Sequence, residues 1–186
     1  MKKIILITSL FTVMAGANSA GAATINFSGK ITDVSCTATV SNGTGADITL
    51  PVVSKDDLKN SGDTAGNTPF TINLSTCKQA GTALSGTLPK ASIYFEPGQY
   101  VNAVSGRLIN SGKGIDDAKN VELEILDGGT NGNPIKLGSS EQLVSKTETQ
   151  LLAGTTQLNY AVRYYATGVA TAGAVKSSVV YDISYN

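Results

Sequence analysis

Apolar residues recur at every second position in several separate stretches of this chain, and that spacing restricts what it can fold into. In NVELEIL, Val121, Leu123 and Ile125 alternate with Glu122 and Glu124. Successive side chains of a strand point to opposite faces, so the segment reads as a strand. The three apolar residues face inward and the two glutamates lie on a solvated outer face. The same period runs through ATINFSGKITDVSCTATV, PFTINLSTC with Phe70, Ile72 and Leu74 on one face, and LNYAVRYYA with Leu158, Tyr160, Val162 and Tyr164 on one side. Shorter runs occur in DITLPVV, in ASIYF after Pro89, and in the closing AVKSSVVYDISYN. Gly/Asn/Asp clusters such as SNGTGAD and DGGTNGNP separate the runs and read as turns. KDDLKNSGDTAGN is polar and irregular, with a turn of helix expected near Lys55 to Lys59. Several short strands at this spacing predict an all-β sandwich of Greek-key type.

The first residues carry an export signal. Met1-Lys2-Lys3 is a short positive start, Ile4 to Met14 is apolar, and Ala20-Gly21-Ala22 supplies the small residues of a cleavage site. The apolar run falls short of the about 20 residues a transmembrane helix needs. Residues 1–22 are therefore expected to be a signal peptide and the mature chain to start at Ala23, with a cut after Ala17 as the alternative. No long apolar stretch follows, so the mature chain is not expected to span a membrane. It has two cysteines, Cys36 and Cys77. In an oxidising compartment these read as a disulfide, closing a loop of about 40 residues and contributing roughly 4 kcal/mol in the chain-entropy model.

Composition excludes several chemistries. Lysine plus arginine and aspartate plus glutamate each number 14, so no basic face for nucleic acid is expected. The chain has no histidine, which rules out Ser-His-Asp and Cys-His arrangements and makes a metal site with the two cysteines a poor prospect. GRLINSGKG resembles a phosphate loop only loosely. Five residues separate its glycines, Gly114 stands where Ser or Thr belongs, and a β-turn is the plainer reading. Glu122 and Glu124 as a glycosidase pair fit worse than a solvated strand face. Asp116-Asp117 and DGGTNGNP lack the ligand spacing of a calcium loop. No enzyme activity and no cofactor are expected.

The two ends remain. SSVVYDISYN alternates Val179, Tyr181, Ile183 and Tyr185 to the end of the chain and leaves an apolar strand edge with nothing after it to cover it. At the other end, Ile25, Phe27, Gly29 and Ile31 share one face before Cys36, and a glycine in a strand often marks close approach of another backbone.

The chain resembles a chaperone–usher fimbrial subunit, or pilin, of the type 1 family over its whole mature length. The resemblance is carried by INFSGKITDVSC, by LPVVSKDDLKNSGDTAGNTPFTINLSTC, and by NYAVRYYATG. It is carried also by Gly173, fourteenth from the C-terminus, and the penultimate Tyr185. It implies an incomplete immunoglobulin-like sandwich over residues 35–186 that lacks its final strand, preceded by a donor-strand extension over residues 23–34. Ile25, Phe27, Gly29 and Ile31 would be the donor face. Gly173, Val179, Tyr181, Ile183 and Tyr185 would mark the edge of the groove it fills. The implied partners are identical or related subunits, a periplasmic chaperone and an outer-membrane usher, with the chain exported through the periplasm to a surface fimbria used in adhesion. A major shaft subunit is the preferred reading. The alternative is a minor adaptor or tip subunit with a carbohydrate-binding role, against which stands the absence of tryptophan.

Overall fold

A computed structural model of the chain describes residues 29–41, 43–44, 46–85 and 88–186. The signal peptide, its cleavage sites, and the donor residues Ile25 and Phe27 lie outside the described residues. Thr32–Asn186 forms one compact unit. Among the described residues no helix is long and apolar enough to cross a membrane.

The strands are β1 (Val34–Ser41), β2 (Gly43–Thr44), β3 (Asp47–Ile48), β4 (Thr64–Gln79), β5 (Thr82–Ala83) and β6 (Lys90–Phe95). They continue with β7 (Leu108–Ile109), β8 (Val121–Asp127), β9 (Asn133–Pro134), β10 (Thr149–Gln150), β11 (Thr156–Ala166) and β12 (Tyr181–Tyr185). A 3-10 turn, Lys55–Asp57, and a short helix, α1 (Gln142–Ser145), are the helical pieces among the described residues. One antiparallel sheet runs β1-β4-β11-β8-β7, with β5 beside β4 and β9 beside β8. A smaller sheet runs β10-β6-β12.

The inner faces of the two sheets make the core. Phe70, Ile72 and Leu74 of β4 pack with Leu158, Tyr160 and Val162 of β11 and with Ile93 and Phe95 of β6. Tyr160 sits at its centre, stacked on Phe70 at 5.6 Å and edge-on to Phe95 at 5.5 Å. Such offset and edge contacts suit the ring quadrupoles. Cys36 and Cys77 are bonded and tie β1 to β4. The ladder slips by one residue between Ser35 and Thr37, and Thr76 takes φ 47° to absorb the bulge.

The alternation in the sequence is obeyed on these inner faces, and the structure departs from expectation in four places. Strand pairing in DITLPVV is limited to Asp47–Ile48, and in the closing segment it is confined to Tyr181–Tyr185. GRLINSGKG is not simply a turn, because Leu108 and Ile109 pair with β8. The fourth departure is on the outer face of β8. Glu122 and Glu124 were expected in solvent, yet they are 7% and 2% exposed. Arg107 covers that face and donates from Nε to Glu124 Oε1 at 2.8 Å. Arg163, directly across the ladder, donates to Oε2 at 2.5 Å. Asn102 and Ser105 donate to Glu122 at 2.8 and 2.9 Å, and the Arg107 guanidinium lies 3.4 Å over the Tyr165 ring. Period two places these carboxylates on the outer face; the segment before β7 then folds over them, and opposite charge with directed donors makes the burial tolerable.

Candidate assembly groove

β12 forms the end of the chain and pairs on one side, with β6. Lys90 and Asn186 exchange both main-chain bonds, at 3.1 and 2.9 Å. In an antiparallel ladder such exchanging pairs alternate with non-bonded ones. Ser184 and Asp182 therefore turn their N–H and C=O groups to β6, and Tyr181, Ile183 and Tyr185 turn theirs to the open edge. The side chains of these same three residues are half-buried and pack against the core. One set of alternate residues thus supplies both an apolar face and a row of unpaired donors and acceptors, which is what a further strand requires.

The gap beyond that edge is a groove of about 400 Å³ between the two sheets. Val179 and Tyr181 line one flank, and Val40 of β1, itself an edge strand, lines the other. The floor is the core: Phe70, Ile72, Phe95 and Ile125 are each 5% exposed or less and still border the groove. The groove is closed at one end, where the Tyr185 hydroxyl accepts the Cys36 N–H at 3.0 Å across the gap. Burial raises the Tyr185 phenol above its usual 10, and this bond pulls the other way. Away from that bond the lining includes Ser177, with Ala46, Asp47 and Ile48 also bordering the groove.

Among the described residues, two further strand edges are occupied. On the far side of β6, β10 pairs with Ala91 and Lys90. Beyond it the Gln142 amide accepts the Phe95 N–H at 3.1 Å and donates to the Phe95 carbonyl at 3.0 Å, imitating a strand. At the end of the large sheet, β7 bonds back to the segment before it, Ile109 N–H to Tyr100 O and Asn102 N–H to Arg107 O, both at 2.8 Å.

Of the residues singled out in the sequence, Val179, Tyr181, Ile183 and Tyr185 share one face of the terminal segment. Gly173 lies elsewhere. It borders a second apolar hollow with Leu58 and Val175, and a side chain there would meet the Ala118 nitrogen at 2.4 Å, so only glycine permits that approach. Gly29 and Ile31 are in no strand, and Ile31 is 99% exposed. Val40, Ser177 and Gln142 were missed. For Ser177 a signal existed, because the odd-numbered pattern of the last strand extends back through 177 to Val175.

The family model of the type-1 fimbrial protein, A, matches residues 50–186. Major fimbrial subunit SMF-1 of Stenotrophomonas maltophilia is 40% identical over 174 residues, covering 91% of this chain and 96% of that one. The chain belongs to the type-1 fimbrial protein family. The F17 fimbrial protein of Escherichia coli is 36% identical, covering 87% of this fimbrial subunit and 86% of that one. A chain from the structure of a chaperone–usher pilus superposes with a TM-score of 0.56 at 19% identity, over 90% of this chain and 97% of that one. That last likeness concerns the fold, an immunoglobulin-like β-sandwich. The chain is thus a structural fimbrial subunit, exported to the cell surface.

Proposed function

We propose that this fimbrial subunit polymerises head to tail by strand donation, residues 23–33 of one copy filling the groove beside β12 of the next; Val34, expected to close the donor segment, instead opens β1 of its own fold. The observation that carries the reading is the open edge of β12 above a groove floored by otherwise buried core residues. Donation brings Ile25, Phe27 and Ile31 out of water, at about 1.5–3 kcal/mol for each large apolar side chain. Main-chain bonds to Tyr181, Ile183 and Tyr185 add affinity and direction. Before assembly a periplasmic chaperone lends a strand to the same groove, and an outer-membrane usher hosts the exchange. The protein has no catalytic role. It is the major shaft subunit, a reading supported by its 40% identity to a major fimbrial subunit.

The test is a chain lacking residues 23–33. It should fold and bind chaperone yet form no detergent-resistant ladders on unheated gels. Persistent ladders would overturn strand donation. Electron microscopy of a deletion strain checks the shaft assignment, which requires loss of nearly all fibre mass.

A further inference from the structure

We infer that Asp33 of one subunit and Ser177 of the next form a polar stop that fixes the register of the strand shared between them. The inference rests on the strand-donation reading above and adds its register. Ser177 Oγ is buried and has no hydrogen-bond partner among the described residues, and Ser177 lines the groove away from the bond between Cys36 and Tyr185. A buried hydroxyl left unpartnered is costly, so a partner arriving with the donated strand gains more than an ordinary surface contact.

The donor can supply one. Its inward face reads Ile25, Phe27, Gly29, Ile31 and then Asp33. Val34 is buried in its own subunit at 7% exposure, which makes Asp33 the last residue free to reach a neighbour. The receiving face reads Ser177, Val179, Tyr181, Ile183 and Tyr185. The donor must run antiparallel to β12. Its body is attached after Asp33 and leaves past Ser177, because the bond from Cys36 to Tyr185 spans the gap at the other end.

With Asp33 against Ser177, every other position follows. Ile31 meets Val179, Gly29 meets Tyr181, Phe27 meets Ile183 and Ile25 meets Tyr185. The polar member of each face meets the other, and the residue without a side chain meets a tyrosine. A slip of two residues one way sets Phe27 against Tyr181 and Ile31 against the bare hydroxyl. Two residues the other way set the Asp33 carboxylate against Val179, a charge among apolar groups. A slip of one turns the whole apolar set outward. In the matched register the Ser177 hydroxyl donates to the Asp33 carboxylate.

Paired cysteines read the register directly. Fibres carrying Asp33→Cys with Ser177→Cys should give covalent ladders on boiled, non-reducing gels, and fibres carrying Ile31→Cys with Ser177→Cys should not. Cross-linking of the second pair, or of neither, overturns the register. A measurement free of new cysteines is the rate at which Ser177→Ala fibres fall apart in warm detergent, which should rise about tenfold on losing a hydrogen bond to a charged group. An unchanged rate also overturns the polar stop. Strand donation is judged separately by the 23–33 deletion. If that chain keeps its ladders, the parent reading fails. If it loses them while the cysteine pairs do not link, the register alone fails.

Discussion

Glu124 has two cationic partners, Arg107 and Arg163, whose side chains are 22% and 26% exposed against its own 2%. Glu124→Gln keeps the shape and removes the charge, leaving both guanidiniums against a neutral amide. Breaking a fully buried pair costs about 3–5 kcal/mol, and the partial exposure of the arginines brings the expectation to about 2 kcal/mol. A urea midpoint shifted down by that amount checks it; an unshifted midpoint means solvent screens the triad. Tyr160 gives a pH test. Burial, first, and the nearby Asp127 carboxylate, second, push its phenol far above the ordinary 10. A raised phenol keeps its proton in the fold after the unfolded chain has lost it. Its stability contribution is therefore complete below pH 10 and drains away as pH rises through 10 and beyond. Tyr160→Phe should flatten the alkaline limb of stability measured from pH 9 to 11. The sequence placed Tyr160 on an inner face but had no means of showing its neighbours. The outer-face glutamates show the same limit in reverse: period two gives the face of a strand, and only the path of the distant 98–107 segment decides whether that face is wet.

At the scale of elements, the strands with strong alternation were legible. β4, β8 and β11 carry their apolar sets where period two puts them, because each has a sheet neighbour on both sides and a core beneath. Shorter pieces such as β9 and β10 were not legible, since two residues of pairing carry no period. The last strand was legible as an edge, and the groove beside it only through resemblance, because a missing neighbour leaves no mark in local pattern. β12 supports a direct prediction. Ile183 pairs with Ile93 and faces the core. Ile183→Asp places a carboxylate in that apolar seam, where burial without a partner is costly. The subunit should fail to co-purify with chaperone and should be degraded in the periplasm. Normal recovery would show that the β12 face is not the recognised edge.

For the whole molecule, the proposed link uses two features separate in the chain, an extension ahead of the fold and a slot beside its last strand. They can be separated by mutation. Gly29 has no atom of the described structure within 4 Å of where a side chain would start. Gly29→Leu should leave the subunit folded and chaperone-bound. It should abolish ladders, because overpacking against a rigid partner costs about 1–3 kcal/mol or more. Loss of chaperone binding as well would place this segment in the subunit's own core.

The Gln142 cap has a consequence for the polymer. Because that amide and β10 occupy the far edge of the small sheet, and the segment before β7 occupies the end of the large one, the proposed strand donation gives a subunit one socket for each plug. In the language of step-growth chemistry the proposed link makes it a monomer of functionality two. Such monomers give threads without branch points, so the product lengthens and never sets into a gel. Freeing the second edge, as Gln142→Ala would begin to do, raises the functionality above two and turns a fibre former into a cross-linker.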